Sequence, residues 1–189
     1  MATGRVAPGL PRPVSSREPI WHRLEMPDSP LARRVALLDA HRCIEQKIYR
    51  MGYALERGDF ALVGELLRHA TFGADRIGRR VMQGSEAIRQ QYERTNITWP
   101  DQGRATREIY TNVLVDVDLD AGTARSTTAY TVAQQIPEPG ARFELLVAGR
   151  YEDEWALLED DWHWTDRYIV VQFRNDLDRH MKPGSQPYN

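Results

Sequence analysis

Three ionisable side chains, Glu56, Glu108 and Arg167, lie within largely apolar stretches of the sequence. A carboxyl group in an apolar pocket has its charged form disfavoured, which raises its pKa towards the range where it exchanges protons at neutral pH. If Glu56 and Glu108 face one cavity, like-charge proximity splits their titrations, so that one acts as base and one as acid. The chemistry would be proton abstraction beside a carbonyl or hydroxyl group, with elimination, isomerisation or ring closure. Arg167 would complete this catalytic group.

Each of these residues also has a purely structural interpretation. Glutamate is rarely buried unless it is paired, which favours a solvated Glu56 at the end of its helix. Strict alternation along the strand places Glu108 opposite a valine face and exposes it, unless a bulge or the concave end of a curved sheet turns it inward. Arginine is commonly paired with a carboxylate, which would make Arg167 part of a structural ion pair. At this level both interpretations stay open.

Further side chains on the same helix and on the following strands are candidates for substrate contact: Met51, Tyr53, Tyr110, Asn112, Tyr130 and Gln134. The four that lie on strands could bind an oxyanion that develops during the reaction. The expected ligand is a small, mostly apolar molecule.

Composition and missing motifs argue against several classes of function. The net charge is -2, so no global field attracts nucleic acid or an anionic membrane. The sequence has no phosphate-binding loop, dinucleotide fingerprint, His-Glu-x-x-His or Cys-x-x-Cys motif, and its five histidines have no ligand spacing. We therefore expect neither a metal nor a cofactor. The lone Cys43 is expected to be an inert core thiol.

The N-terminal region has no apolar signal segment, and no apolar run approaches the roughly 20 residues that span a bilayer. We therefore expect a cytoplasmic protein. Residues 1–28 are rich in proline and arginine and are predicted to be a tail. Residues 29–181 are predicted to be one domain, and residues 182–189 a C-terminal tail.

Helical patterns fill the first half of the domain. Ser29 and Pro30 predict a helix start, and apolar residues then recur at spacings of three and four until Gly58. The predicted buried stripe is Leu31, Val35, Leu38, His41, Ile44, Ile48, Met51 and Leu55. Asp59 is predicted to cap a second, short helix, and Ser85 to begin a third.

From Arg104 the periodicity changes to two, which predicts strands at about 104–118, 123–135, 142–157 and 161–173. Helices followed by long antiparallel strands indicate an α+β domain, in which a long sheet must twist into a concave surface. An aromatic face of Trp155, Trp162, Trp164 and Tyr168 is a candidate for an exposed surface that pairs subunits.

Four stretches together resemble the SnoaL-like branch of the nuclear transport factor 2-like superfamily. They are residues 53–60 (YALERGDF), 84–88 (GSEAI), 106–113 (TREIYTNV) and 149–153 (GRYED), with Trp162 to Arg167 following. The resemblance covers about residues 36–181. It implies a cystatin-like fold, in which a cone of strongly bent antiparallel sheet packs on a long N-terminal helix and two shorter helices.

The resemblance also implies candidate activities. Enzymes of the superfamily include steroid isomerases, scytalone and bile-acid dehydratases, polyketide cyclases and epoxide hydrolases. Dehydratase-like members have a tyrosine and an aspartate on the first helix and a histidine on the next long strand. Met51, Glu56 and Glu108 take those positions here, while Asn112 and Arg167 are kept. The implied substrate is similar to a steroid, a polyketide or a terpenoid.

A second function class follows from the same resemblance. Other members of the superfamily only bind ligands, act as scaffolds or dimerise, and loss of the tyrosine and histidine favours such a role. The two hypotheses are therefore a cofactor-free dehydratase, isomerase or cyclase and a non-catalytic ligand-binding or scaffold domain. The family also implies a homo-oligomer, a dimer or trimer. The preference for arginine over lysine suggests a bacterial origin.

Overall fold

The computed structural model of the chain describes residues 29–73 and 82–185. The predicted tail at residues 1–28 and residues 186–189 lie outside the described residues. Within them, three helices precede four long strands. No helix among the described residues is long and apolar enough to cross a membrane.

The first helix, α1, runs from Pro30 to Arg57 and begins and ends as predicted. Ser29 is extended, and Pro30 occupies the first turn, where its missing N–H costs nothing. Gly58 ends the helix in the left-handed conformation, with φ of 68°. Helix α2 (Phe60–Leu66) starts two residues after Gly58, because the Asp59 side chain accepts the Leu62 N–H at 3.1 Å and caps the helix. Helix α3 spans Ser85–Thr95.

The predicted buried stripe is wrong for the first half of α1. Leu31 and Leu38 are about 70% exposed, and Val35 is exposed as well. The buried stripe instead runs back from Ile48 at intervals of four, through residues 44, 40 and 36, so Ala40 and Ala36 occupy the inner face. The sequence offers two apolar stripes here, and packing selects the one that continues the core of the second half.

The strands form one six-stranded sheet in the order β2-β1-β6-β5-β4-β3. The four long strands pair antiparallel, whereas β1 pairs with β6 in parallel. Their bounds are β1 Thr71–Gly73, β2 Met82–Gln83, β3 Thr106–Asp118, β4 Thr123–Gln134, β5 Glu144–Leu158 and β6 Asp161–Arg174. Register shifts interrupt each pairing of the long strands, and such bulges bend a sheet and increase its twist.

A bulge in β3 decides which way Glu108 points. The register shifts between Thr111 and Leu114, and Asn112 has φ of 50°, which asparagine tolerates better than most residues. Before the bulge Glu108 faces inward, and after it Val113 and the alternate valines that follow do. The bulge lets both sets face the same side of the sheet.

Three of the predicted surface aromatics lie in the core instead. Trp155, Trp162 and Trp164 are at most 3% exposed, and they pack with the buried residues of α1. The rings of Trp155 and Trp164 lie 4.0 Å apart. Removing large aromatic rings from water is strongly favourable, so these rings lie on the side of the sheet that packs against the core. The predicted subunit-pairing surface is therefore wrong in its location.

The helix register can be tested by two truncations on α1. Ile44→Ala should lower the free energy of unfolding by about 2–5 kcal/mol, because it leaves a cavity beside the tryptophans. Leu38→Ala should change it by less than about 0.5 kcal/mol, because Leu38 is exposed. Urea unfolding of both variants gives the comparison. Equal losses would contradict the buried stripe described above.

Candidate functional site

A cavity of about 910 Å³ lies between α3, the inner face of the sheet and the C-terminal segment, which we define as residues 175–185. Most of its lining is apolar, including Leu55, Phe72, Val132, Val147, Ile169, Leu177 and Met181. Tyr92, Tyr130 and Tyr151 add aromatic walls. An apolar chamber of this size with a few polar groups is typical of small-molecule sites.

A connected group of three polar side chains lines this cavity: Arg104, Glu108 and His180. Arg104 Nη1 donates to Glu108 Oε1 at 2.8 Å, and Arg104 Nη2 donates to His180 Nε2 at 2.6 Å. The Glu108 side chain is only 2% exposed. We call these three residues the Arg104 triad.

The turn before β3 positions Arg104. The Arg104 N–H donates to the carbonyl oxygen of Glu56 at 3.0 Å, which ties the turn to the end of α1. Gly103 has φ of 57°, and a Cβ there would lie 2.4 Å from that same oxygen. Only glycine allows this approach. From the other side, Gln134 Nε2 donates to the Arg104 carbonyl oxygen at 3.1 Å.

Each member of the Arg104 triad keeps one polar atom without a hydrogen-bond partner in the part of the chain that the structure describes. These atoms are Glu108 Oε2, Arg104 Nε and His180 Nδ1, and all three are buried. Buried polar atoms in proteins are nearly always hydrogen-bonded, either to the protein, to water or to a ligand. The triad therefore has one acceptor and two donors to offer.

Burial and Arg104 set the protonation of the triad. Burial raises the pKa of Glu108, and the Arg104 charge opposes that rise. Burial, and then the positive charge of Arg104, hold the pKa of His180 well below its ordinary value of 6.5. His180 is therefore neutral at pH 7. Because arginine can only donate, His180 Nε2 is the acceptor and Nδ1 carries the proton.

The structure does not bring Glu56 and Glu108 together in the cavity. Glu56 Oε1 accepts the backbone N–H of Glu108 at 2.9 Å, and Oε2 accepts from Arg107 at 2.7 Å. The Glu56 side chain is 12% exposed and does not line the cavity. Strand β3 lies at the sheet edge, so Glu56 supplies an acceptor to a backbone group that has no neighbouring strand.

Arg167 lies behind the cavity wall in a buried ion pair. Its Nε lies 3.4 Å from Asp153 Oδ1, and its guanidinium group stacks on the Tyr151 ring at 4.0 Å from the ring centre. Burial raises the pKa of Asp153, and Arg167 opposes this rise. The ion pair with Asp153 agrees with the structural interpretation of Arg167. Through its stacking contact, Arg167 supports the wall residue Tyr151.

The six candidate contact residues fall in different places. Tyr130 lines the cavity and stacks on Tyr151 at 4.4 Å. Gln134 supports Arg104 from behind, and Tyr110 packs edge-on against Tyr151 at 5.6 Å. Tyr130 alone of the six lines the cavity; Met51 is a core residue, Tyr53 is half exposed, and Asn112 is exposed at the bulge of β3.

Sequence reasoning missed Arg104, Tyr92, Tyr151 and His180. Arg104 stands in a turn, where spacing predicts no partner. His180 lies beyond the last predicted strand, near the start of the predicted C-terminal tail. The sequence signal near His180 is a pair of apolar residues at helical spacing, Leu177 and Met181, which is typical of a segment that packs on a domain. Residues 182–185 also contact the domain, since the Lys182 N–H donates to the Thr95 carbonyl oxygen at 2.8 Å.

A second groove, of about 1080 Å³, lies between the first half of α1 and the β3–β4 hairpin. Its charged residues include Arg125 and Glu154, which are exposed and lie 3.7 Å apart. Exposed ion pairs of this kind contribute little and leave no desolvated group for proton transfer. The cavity with the Arg104 triad is therefore the candidate functional site.

A family model described as a SnoaL-like domain matches residues 36–168. No curated protein matches the sequence. Several solved structures have a similar fold. A protein from Novosphingobium aromaticivorans, described as nuclear transport factor 2-like with a cystatin-like fold, superimposes with a TM-score of 0.62 at 17% identity. The match covers 80% of this chain and 96% of that one.

Two further structures from the same organism are similar. One is described as a candidate scytalone dehydratase, with a TM-score of 0.59, 15% identity, and coverage of 76% of this chain and 91% of that chain. The other is the beta subunit of a candidate aromatic-ring-hydroxylating dioxygenase, with a TM-score of 0.58, 11% identity, and coverage of 77% and 97%. At these identities the likeness shows the fold alone.

The burial of neutral His180 predicts a pH dependence of stability. Between its lowered pKa and about 6.5, the unfolded chain binds a proton that the folded chain does not, so stability falls as the pH falls. His180→Gln removes this titration and keeps an acceptor for Arg104. The free energy of unfolding of the unaltered protein, relative to that of the variant, should therefore decrease by up to about 1.4 kcal/mol per pH unit as the pH falls from about 6.5 to 5.

Urea unfolding of both proteins across that range provides the measurement. The pKa of His163 is also lowered by burial, to about 4, but it titrates equally in both proteins and cancels in the difference. A difference that does not change with pH would contradict a neutral, buried His180.

Proposed function

The chain belongs to the SnoaL-like domain family, and we propose that it is a cofactor-free acid/base enzyme for a small, mostly apolar substrate. The reaction would be a dehydration, an isomerisation or a cyclisation. One observation carries the proposal: Glu108 lines an apolar cavity, with one carboxylate oxygen held by Arg104 and the other buried and without a hydrogen-bond partner among the described residues. A desolvated carboxylate of this kind is suited to proton transfer at neutral pH.

The charges of the lining favour a neutral substrate. Of the charged residues that line the cavity, Arg94 is exposed, whereas Arg104 and Glu108 are buried and form an ion pair, so the two buried charges balance. A substrate with its own charge would leave one charge in the cavity without compensation, which is costly in an apolar environment. The expected substrate has an apolar body and one or two uncharged oxygen groups.

The proposed step begins with ionised Glu108. Its Oε2 takes a proton from a carbon or hydroxyl of the substrate, and the electron pair moves towards a neighbouring bond or oxygen. Arg104 Nε, which has no partner in the structure, can donate to an oxygen on which negative charge develops. Glu108 then gives the proton to the hydroxyl group that leaves as water in a dehydration, to a different carbon in an isomerisation, or to the alkoxide oxygen formed in a ring closure.

Glu56 and Arg167 have positioning roles in this proposal. Glu56 holds the backbone of Glu108 through its N–H, and Arg167 holds the wall residue Tyr151. This division departs from the hypothesis of two carboxylates in one cavity. It retains all three residues in the function, with Glu108 alone in contact with the substrate.

The alternative is a non-catalytic binding or scaffold domain. Its support is that three carboxylates at or behind the cavity wall have arginine partners: Arg104 for Glu108, Arg107 for Glu56 and Arg167 for Asp153. A binder with this lining would hold the same neutral molecules without turning them over.

A model substrate separates the two functions. 5-Nitrobenzisoxazole is a small neutral aromatic molecule that loses one C–H proton to a base, after which its N–O bond breaks and the electron pair leaves on the phenolate oxygen. The unaltered protein should accelerate this reaction, and Glu108→Gln should lower kcat/KM by about 10²-fold or more, the usual contribution of a general base.

Glu154→Gln is the matched control, because Glu154 is exposed and lies outside the cavity. It should leave kcat/KM unchanged, and Glu56→Gln should have an effect smaller than that of Glu108→Gln. The enzyme proposal fails if the unaltered protein and Glu108→Gln give the same rate, and the binding alternative then becomes the better description.

We further propose that the protein is a cytoplasmic homo-oligomer, a dimer or trimer. One exposed row on the outer face of the sheet could pair subunits. The register aligns Ile109, Thr131, Ala148 and Phe173 across β3, β4, β5 and β6. Phe173 is 73% exposed, and Ile109 is also exposed. Exposed apolar side chains aligned in this way favour self-association.

Light scattering at micromolar concentration tests the oligomer. The unaltered protein should have the mass of a dimer or trimer, and Phe173→Glu should reduce it towards the monomer, because a charge would be buried in the interface. Leu38→Glu, at an exposed position on α1, serves as the control. A monomeric unaltered protein would refute the proposal.

A further inference from the structure

The C-terminal segment forms one side of the cavity. The Asn175 N–H donates to the carbonyl oxygen of Leu146 at 2.7 Å, where β6 has ended. Further along, the Ile97 N–H donates to the carbonyl oxygen of His180 at 3.0 Å. These contacts fix the segment between the sheet and the end of α3. They bring Leu177, His180 and Met181 to the cavity wall.

This segment lies outside the residues that match the family model, which end at 168. The imidazole that it brings into the cavity therefore does not come from the matched domain. Its place in the site follows from this chain alone, through the Arg104 bond and the contacts to α3. A family comparison restricted to the domain would not find it.

His180 has a defined chemical state. Its Nε2 accepts from Arg104, so its Nδ1 carries the hydrogen, and Nδ1 is buried without a partner. The ring is 6% exposed. Arg104 is the charged group that contacts the ring among the described residues, at 2.6 Å, and the same guanidinium group also holds Glu108. Protonation would place a second positive charge beside Arg104.

Glu108 and His180 offer opposite hydrogen-bonding roles. Glu108 Oε2 is an acceptor without a donor, and His180 Nδ1–H is a donor without an acceptor. One guanidinium group holds both residues, through its two terminal nitrogens. A hydroxyl group is the simplest uncharged group that can donate to the first and accept from the second.

We propose that His180 is a substrate-binding residue whose Nδ1–H donates to a hydroxyl oxygen of the substrate, while that hydroxyl donates to Glu108 Oε2. The inference rests on the proposed function and narrows its substrate class to neutral, mostly apolar hydroxyl compounds. In the binding alternative, the same contact selects the ligand. His180 thereby determines specificity in both cases.

Two probes test the contact: 2-naphthol, which is neutral at pH 7 and has one hydroxyl group, and naphthalene, which lacks it. Equilibrium dialysis with the full chain gives both Kd values. The unaltered protein should bind 2-naphthol about tenfold or more tightly than naphthalene, because a site built for a hydroxyl leaves polar atoms unpaired without it. In His180→Gln this ratio should fall to about threefold or less.

The two amide variants of His180 are matched. The glutamine amide reaches about as far as Nε2, so His180→Gln keeps the acceptor for Arg104 and loses the donor. The asparagine amide lies about where Nδ1 does, so His180→Asn keeps a donor and loses the Arg104 contact. The naphthol preference should therefore be larger in His180→Asn than in His180→Gln. Naphthalene should bind all three proteins with similar Kd.

An NMR measurement on the unaltered protein does not depend on any variant being folded. Nitrogen-15 spectra of the histidine rings should show that His180 stays neutral, with the hydrogen on Nδ1, from about pH 7 to pH 5, as the His163 ring, whose pKa is lowered to about 4, also stays neutral. The signal of His180 is identified by its loss in His180→Gln. A His180 ring with the hydrogen on Nε2, or a His180 ring that titrates near the ordinary histidine pKa, would overturn the proposal.

The binding outcomes are separable from those of the enzyme assay. A naphthol preference that depends on His180, without Glu108-dependent turnover of 5-nitrobenzisoxazole, supports this inference and refutes the enzyme. Turnover that depends on Glu108, with equal naphthol preference in the unaltered protein and His180→Gln, refutes this inference alone. Failure of the unaltered protein to prefer 2-naphthol over naphthalene also refutes it.

Discussion

Arg104 donates from its two terminal nitrogens at once, to Glu108 and to His180, in a place where each of the three residues is at most 6% exposed. Three separate parts of the chain meet at this guanidinium group: the turn before β3, strand β3 itself and the C-terminal segment. An arginine can serve them together because its donors are fixed in one plane and its charge is permanent. Without it, a buried carboxylate and a buried imidazole would have to be stabilised separately.

The rest of the fold keeps this group in position and leaves its remaining polar atoms unused. The Arg104 turn fits against the end of α1 only because Gly103 has no side chain, and Glu56 ties the Glu108 backbone to the same helix. The bulge at Asn112 lets β3 present Glu108 to the cavity and valines to the core. Two unpaired donors and one unpaired acceptor then remain beside an apolar chamber.

Periodicity was sufficient to predict the α+β class, the ends of α1 and the four long strands, because these features depend on local spacing and capping. Periodicity did not predict which face of the first half of α1 is buried, because two stripes of apolar residues are present there. Packing against the rest of the core determines that Ala36 and Ala40 are buried. Periodicity also left Glu108 undecided, because the direction of its side chain depends on the bulge at Asn112, four residues further on. The position of His180 in the site was not predicted, because contacts between residues far apart in sequence place it beside Arg104.

The most direct test of the site is a crystal structure of the protein grown with 2-naphthol. The naphthol ring should occupy the cavity, with its oxygen within hydrogen-bond distance of both Glu108 Oε2 and His180 Nδ1, and with Arg104 still bonded to both residues. A ring bound only in the groove beside α1, or a naphthol oxygen directed away from the Arg104 triad, would contradict a site built around that guanidinium group.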